Sequence, residues 1–225
     1  MRPLHVRRLG PVPYEEGVAL QQRLVEERRR GAIPDTLLLL EHPHVITLGV
    51  KVHRDRSHVV ASAEELARRG VEVHESGRGG DVTYHGPGQL VGYPIFDLSP
   101  GRQDLHRYVR DIEEALIQAL GRFGVTAGRI PGLTGVWVGN DKVAAIGVRV
   151  SRWITSHGFA LNVATDLSYF GLIVPCGITD HGVTSLSRLS GRPVTVGEVE
   201  DPVIEGFTDV FDLALVAETS AGALR

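Results

Sequence analysis

Apolar residues recur at helical spacing in two long stretches of the chain. Between positions 103 and 124 they step by three or four residues: Leu105, Val109, Ile112, Leu116, Leu120 and Phe123. This spacing predicts an amphipathic helix with one buried face. Residues 14–31 show the same period more weakly at Tyr14, Val18 and Val25. A second helix is therefore predicted there, closed by the glycine at its end.

Two further helices are predicted from capping signals. Ser62 is followed three residues later by Glu65, and Thr195 is followed three residues later by Glu198. In this pattern the hydroxyl accepts a backbone N–H at the helix start, and the acidic side chain accepts a second one in return. We predict a short helix after Ser62 and a final helix that runs from Thr195 towards Leu215.

Strand-like runs alternate with these helices. They are short stretches rich in β-branched and other apolar residues, at 36–42, 45–49, 71–76, 89–98 and 156–163. The sequence GVWVGNDKVAAIGVRV adds a hairpin, because two β-rich runs flank the turn residues Gly139-Asn140-Asp141.

The order of these elements predicts the fold class. Helices and strands are mixed without a regular βαβ repeat and without a glycine-serine linker. We therefore expect a single α/β (α+β) domain in which a mixed or antiparallel sheet is flanked by helices. The domain is expected to span residues 1–217, and the last residues, 218–225, are expected to form a flexible tail.

Composition and charge narrow the possible functions. The net charge of −3 at pH 7 provides no overall basic field for a nucleic acid or a membrane. The chain shows no signal-peptide core and no long uncharged apolar stretch, so a cytoplasmic location is expected. Its single cysteine excludes an internal disulfide and a cysteine-rich metal site. The histidines, including His42, His44, His53 and His58, show no recurrent zinc spacing, so neither a metal nor another cofactor is expected.

The most unusual stretch is SGRGGDVTYHGPGQLVGYP, residues 76–94. Six glycines and two prolines interrupt polar and aromatic residues just before a predicted strand. Such a loop can bring main-chain N–H groups close to a carbonyl or phosphate group of a ligand. A turn-rich connection without a ligand is the alternative. Neither phosphate-binding pattern, GxxxxGK[ST] or a strand-linked GxGxxG, is present.

This stretch resembles the RGGxVTYHGPGQ signature of the octanoyltransferases, also called lipoyl(octanoyl) transferases. Three further blocks agree in the same order: KVAAIGV, SHGFALNV, and VPCGI followed by GVTSL. The similarity runs from about Leu38 to Leu186, and position 81, here Asp, varies in the family. The resemblance implies a fold like the catalytic domain of biotin and lipoate protein ligases.

The resemblance also implies an activity and its partners. Members of the family move an octanoyl group from octanoyl-acyl carrier protein to a specific lysine on lipoyl domains, the first step of endogenous protein lipoylation. The implied acceptors are the lipoyl domains of 2-oxoacid dehydrogenase E2 subunits and the H protein of glycine cleavage.

Two residues acquire catalytic roles from the resemblance. On its own, a lone cysteine is most often a small buried apolar residue, and a lysine after a turn is most often a solvated charge. The family match instead implies that Cys176 is the nucleophile that carries the acyl thioester. It implies that Lys142 forms a dyad with this thiol. A nearby ammonium lowers a thiol pKa, and a neutral lysine can accept a proton as a general base.

Three segments match the substrate-contacting segments of the family, and we expect them to form the walls of an acyl slot. Their members are Arg78, Gly79, Gly80, Asp81, Val82, Thr83, Tyr84, His85, Ala145, Ile146, Gly147, Gly158, Phe159 and Ala160. Tyr84 and His85 are expected at the polar end of the slot. His85 and His157 can each orient the reacting groups or serve as structural hydrogen-bonded residues, and the sequence leaves both roles open.

The residues themselves are also compatible with three other functions. An ATP-dependent lipoate or biotin protein ligase on the same scaffold would activate a free acid as an adenylate and would need no cysteine nucleophile. A non-catalytic module would bind the acyl carrier only. A thioesterase would use water, rather than a lysine, to resolve the thioester.

Overall fold

The computed structural model of the protein describes residues 1–52, 56–99, 101–174 and 181–216. Within these ranges the chain forms eleven strands and five α-helices. The strands are β1 Arg2–Pro11, β2 Asp35–Glu41, β3 Val45–Leu48, β4 Glu72–Glu75, β5 Val82–His85, β6 Gln89–Ile95, β7 Val136–Val138, β8 Asp141–Ser151, β9 Ile154–Asn162, β10 Gly182–Val183 and β11 Leu213–Leu215. The α-helices are α1 Tyr14–Arg29, α2 Ala63–Arg68, α3 Leu105–Gly121, α4 Leu186–Ser190 and α5 Val196–Phe211.

Eight of the described strands form one sheet in the order β10-β8-β9-β6-β2-β1-β11, with β7 also paired to β8. Strands β8 and β9 are antiparallel because a tight turn joins them. Strands β1 and β2 are parallel because α1 lies between them in the chain. Both kinds of pairing occur in one sheet, so the predicted mixed sheet is confirmed.

A second sheet of three strands lies beside the large one, in the order β4-β3-β5. Strand β3 pairs in parallel with β4 and antiparallel with β5, where Val45 lies opposite His85. Its apolar side chains form a separate buried cluster with Leu172 and Ile173. This small sheet supports the glycine-rich segment, because β5 is part of that segment.

Helices cover both faces of the large sheet. Strand β2 shows this directly: Leu37 and Leu39 pack into the core with α3 and α5, whereas Leu38 and Leu40 pack with α1. A continuous apolar run is typical of a strand that is buried on both faces. None of the helices in the described ranges is long and apolar enough to cross a membrane.

Most predicted elements are confirmed, including the hairpin of β7 and β8. Ser62 accepts the backbone N–H of Glu65, and Thr195 forms a complete capping box with Glu198. The predicted extension of the last helix towards Leu215 is wrong. Asp212 adopts a left-handed conformation, with φ 54° and ψ 55°, and the next three residues join the sheet beside β1. The predicted tail, 218–225, lies outside the described residues.

Candidate active site

The fold brings the three predicted acyl-slot segments together. Strands β8 and β9 pair Ala145 with Ala160 and Gly147 with Gly158. The glycine-rich segment lies against the same strands, because the N–H of Gly79 donates to the carbonyl of Val148 at 2.9 Å. A Cβ atom added at Gly147 would lie 2.8 Å from the carbonyl oxygen of Gly79. This position therefore requires glycine for the two segments to approach.

Not every predicted slot residue points its side chain to the same surface. Ala160 belongs to the cluster on the α1 side of the sheet. Ile146 and Phe159 pack instead into the core with α3 and α5, and Phe159 stacks on Phe207 at 5.6 Å between ring centroids. Val82 packs into the core of the small sheet. These three residues can border a slot on the α1 side only through their backbone.

Arg78 brings a buried positive charge to this region. Its Nη2 atom donates to the carbonyl of Thr47 at 2.6 Å and to Oγ1 of the same residue at 2.8 Å. Its Nε atom donates to that Oγ1 at 3.1 Å. Three bonds donated to one buried threonine fix the planar guanidinium in a single orientation. Nearby, Asp81 accepts hydrogen bonds from the N–H of Val82 and from Nδ1 of His58.

Three buried histidines lie in this region, and Arg78 acts electrostatically on two of them, His85 and His157. Burial is the main cause that lowers the pKa of His85 to about 3, with smaller contributions from the charges of His42 and Arg78. Burial also lowers the pKa of His42 to about 4 and that of His157 to about 4. These histidines are therefore neutral near pH 7. His42 uses both ring nitrogens within the protein, on the carbonyl of Val12 and the hydroxyl of Tyr93.

Lys142 lies near the start of β8 at a β-bulge. Trp137 is opposite Lys142 and Val136 is opposite Ala144, so Val143 is an extra residue between them. Val143 and Ala144 both pack into the core with α3 and α5. Because the extra residue reverses the alternation of the strand, Lys142 points to the opposite face, which is the face of Ala145 and Ala160.

Two contacts hold the Lys142 side chain on that face. Its ammonium nitrogen lies 4.7 Å from the ring centroid of Trp137, a cation–π geometry. Its stem lies beside Gly135, where an added Cβ atom would be 3.2 Å from Lys142 Cε. Gly135 has a φ of 129° and is thus suited to this close approach.

Cys176 lies outside the described residues, which end at Val174 and begin again at His181. On one side, the N–H of Val174 donates to the carbonyl of His58 at 2.8 Å, and the ring of His58 bonds to Asp81 of the glycine-rich segment. On the other side, β10 runs parallel to β8 and places Val183 opposite Lys142. The described residues on the two sides of 175–180 are therefore anchored beside the glycine-rich segment and beside Lys142.

A family model and curated relatives match most of the chain. The lipoyl protein ligase A/B catalytic domain family model matches residues 13–208. The octanoyltransferase of Solibacter usitatus (strain Ellin6076) is 51% identical over 223 residues, which cover 99% of this chain and 100% of that protein. The chain belongs to the octanoyltransferase family. It is therefore an acyltransferase. The octanoyltransferase of Myxococcus xanthus is 54% identical over 94% of this chain, and the chain spans 60% of that protein's length.

Solved structures share the fold at much lower identity. A bipartite lipoate protein ligase from Thermoplasma acidophilum, analysed with its E2 lipoyl domain, matches with a TM-score of 0.67 and 19% identity, over 96% of this chain and 88% of that chain. Biotin protein ligase from Aquifex aeolicus, in complex with biotin and ATP, matches with a TM-score of 0.55 and 15% identity, over 92% and 70% of the two chains. The predicted ligase-like fold of this transferase is confirmed.

Four residues that adjoin the candidate site were missed by sequence reasoning. Gln89 bonds to His85 and to Asn162 through its side chain. Both Gln89 and Asn162 stand within the recognised blocks, so their polar character inside strand-like runs was an available signal. Thr47, which holds Arg78, and Gly135, which adjoins Lys142, lie outside those blocks. Only the contacts of the folded chain identify these two.

Proposed function

We propose that this transferase carries the octanoyl group as a thioester on Cys176. In this proposal Lys142 favours the thiolate form of Cys176 and accepts the proton that the acceptor amine loses. The proposed donor is octanoyl-acyl carrier protein. The proposed acceptor is a lysine of a lipoyl domain, on E2 subunits of 2-oxoacid dehydrogenases or on the glycine cleavage H protein. The Thermoplasma acidophilum relative, analysed with its own E2 lipoyl domain, supports this class of acceptor.

One observation carries the proposal. The β-bulge turns Lys142 towards the face of Ala145 and Ala160, and β10, which follows the segment containing Cys176, pairs with β8 at Lys142. An ammonium group at this place favours the thiolate form of a neighbouring cysteine. Ala145 lies three positions further along β8 and thus within roughly 10 Å of Lys142, because a strand rises at most about 3.4 Å per residue and the bulge shortens this path. An extended medium-length acyl chain spans a comparable distance.

The two half-reactions follow from the chemistry of these groups. In the first, the Cys176 thiolate attacks the donor carbonyl, the carbon–sulfur bond to the carrier breaks, and the carrier thiolate leaves and takes up a proton. In the second, the acceptor amine attacks the Cys176 thioester, an amide forms, and the thiolate of Cys176 leaves. Lys142 in its neutral form accepts the proton that the amine loses.

Intact mass spectrometry tests the first half-reaction. After exposure to octanoyl-acyl carrier protein alone, the wild-type protein should gain the mass of one octanoyl group, and hydroxylamine should remove it. Cys176→Ala should gain nothing. Wild-type transfer rates in Cys176→Ser, or a wild-type mass that stays unchanged, would refute the thioester.

The same preparation separates the competing functions. Addition of a lipoyl domain should discharge the acyl enzyme and yield one octanoylated acceptor. A ligase would instead modify the acceptor from free octanoate, ATP and magnesium. A thioesterase would lose the acyl group to water equally fast without acceptor. A carrier-binding module would form a complex without any covalent mass change.

The role of Lys142 can be measured without ambiguity, because the chain has one cysteine and only one other lysine, the exposed Lys51. The pH dependence of iodoacetamide alkylation therefore reports the pKa of the Cys176 thiol alone. In Lys142→Ala this pKa should rise towards the ordinary value of about 8.5, and both half-reactions should slow. Lys51→Ala is the matched control and should behave like the wild type. An unchanged thiol pKa together with full activity in Lys142→Ala would remove Lys142 from the mechanism.

A further inference from the structure

Four buried hydrogen bonds connect the glycine-rich segment to the backbone of Lys142. Nδ1 of His85 lies 2.8 Å from Oε1 of Gln89, and Nε2 of Gln89 lies 2.9 Å from Oδ1 of Asn162. Nδ2 of Asn162 donates to the carbonyl of Thr184 at 3.0 Å. The N–H of Thr184 donates to the carbonyl of Lys142 at 3.0 Å. The side chains of His85, Gln89 and Asn162 are buried, so solvent does not compete for these bonds.

Backbone carbonyls fix the direction of every bond in this series. Nε2 of Gln89 also donates to the carbonyl of Tyr84 at 3.2 Å, so the amide nitrogen of Gln89 must face that side. The carbonyl of Thr184 fixes the amide of Asn162 in the same way, because a carbonyl can only accept. Oε1 of Gln89 therefore faces Nδ1 of His85 and requires a donor there. The neutral ring must carry its proton on Nδ1, which leaves Nε2 with the lone pair.

The series also joins parts of the chain that are distant in sequence. Gln89 and Asn162 lie opposite each other on β6 and β9, on the same side of the sheet as Ala160. Thr184 directly follows β10, the strand that continues from the segment containing Cys176. A single pair of amide side chains therefore contacts both the histidine of the glycine-rich segment and the strand beside Lys142.

We propose that Gln89 and Asn162 are positioning residues of the acyl transfer. They hold His85 as the Nδ1–H tautomer, and they hold β10 in register with Lys142. Neither residue needs to touch the substrate. A displacement of about 1 Å among reacting groups is enough to cost roughly a hundredfold in rate. The kinetic part of this inference rests on the proposed function, whereas the tautomer of His85 can be measured independently of it.

The first test is spectroscopic. Protein labelled with ¹⁵N-histidine gives long-range ¹H–¹⁵N correlations that distinguish the two neutral tautomers, and His85→Asn identifies the signals of His85. The wild type should show the Nδ1–H form at pH 7. Gln89→Met, which has a similar size but no amide, should lose the preference for that form. A wild-type His85 that carries its proton on Nε2 would by itself overturn the proposal, whatever the variants do.

The second test is kinetic. Gln89→Met and Asn162→Leu should each lower kcat for octanoyl transfer by about tenfold or more, with KM for the donor changed by less than about threefold. Gln89→Glu should shift the acid limb of the pH–rate profile to higher pH, because a carboxylate beside Nδ1 favours the imidazolium form. Gln118→Met makes the same chemical change on the exposed face of α3 and should match the wild type.

Two results would overturn the positioning role. One is a wild-type kcat and pH profile in both Gln89 variants. The other is a loss of rate in Gln89→Met that is matched by an equal loss of folded protein, together with an unshifted pH profile in Gln89→Glu. Formation of the acyl enzyme by the wild type, followed by intact mass, separates these failures from a failure of the proposed function. If the wild type forms no thioester, the proposed function fails while the tautomer result still stands.

Discussion

The fully buried carboxylate of Glu113 gives a quantitative test of how the core supports the site. Its side chain is 0% exposed, and its Oε2 atom accepts bonds from Arg110 at 2.6 Å and from Arg129 at 2.9 Å. Its Oε1 atom accepts the N–H of Gly135 at 3.0 Å. Because Gly135 adjoins the stem of Lys142, Glu113 fixes the backbone that borders the Lys142 side chain.

Glu113→Gln keeps the size of the side chain but removes its charge and one acceptor oxygen. The single amide oxygen can then serve the arginines or Gly135, but not both. Breaking a buried ion pair costs about 3–5 kcal/mol, and a lost hydrogen bond to a charged group costs about 1.5–3 kcal/mol. The side chains of Arg110 and Arg129 are 47% and 34% exposed, so water partly solvates the two charges when their partner is lost. We expect a loss of about 2–3 kcal/mol in the free energy of unfolding.

Urea unfolding measures this loss, and the midpoint should fall by roughly 1 M for a slope of about 2–3 kcal/mol per M. Glu114→Gln is the matched control, because the neighbouring carboxylate also pairs with Arg129, at 2.8 Å, but is 41% exposed. Its loss should stay below about 1 kcal/mol. Octanoyl transfer by Glu113→Gln should be slower than by the wild type even without urea, where the variant is folded. Equal stabilities of the two variants would refute the reasoning.

Two further predictions concern the buried histidines and the acyl-slot glycine. Burial keeps the folded-state pKa of His42 and of His157 at about 4 and that of His85 at about 3. Histidine in the unfolded chain has a pKa near 6.5, so the unfolded chain binds more protons than the folded protein below that pH. The free energy of unfolding should therefore be highest above about pH 7 and fall by roughly 1–2 kcal/mol per histidine by pH 5, and a flat profile from pH 8 to 5 in urea titrations would contradict this. Gly147→Ala should slow octanoyl transfer and lower the free energy of unfolding by about 1–3 kcal/mol, because its Cβ would lie 2.8 Å from a backbone oxygen. Gly121→Ala is the control and should be neutral or stabilising, because its added Cβ would meet nothing within 4 Å. Equal effects of the two substitutions would count against the close approach at Gly147.

Local patterns predicted the elements that depend on neighbouring residues. The period of α3, the capping box of α5 and the turn between β7 and β8 are all set within a few positions, so they could be read from the chain alone. The neighbouring strands β1 and β11, at one end of the large sheet, were missed. Strand β1 contains three arginines and buries Leu4 fully, whereas β11 has only three residues, so neither shows a clear alternation. Their pairing partners, which lie far away in sequence, determine them.

The sequence by itself determined the order of most elements and, through its recognised blocks, the family and the candidate residues Cys176 and Lys142. The tertiary structure alone decided the direction of the Lys142 side chain, because a bulge reverses an alternation that the strand pattern would otherwise assign. It also decided the tautomer of His85, because that tautomer depends on Gln89 and on backbone carbonyls that pairing of distant strands brings together. Covalent neighbours determine local conformation, whereas the protonation and orientation of buried groups depend on contacts that exist only in the folded chain.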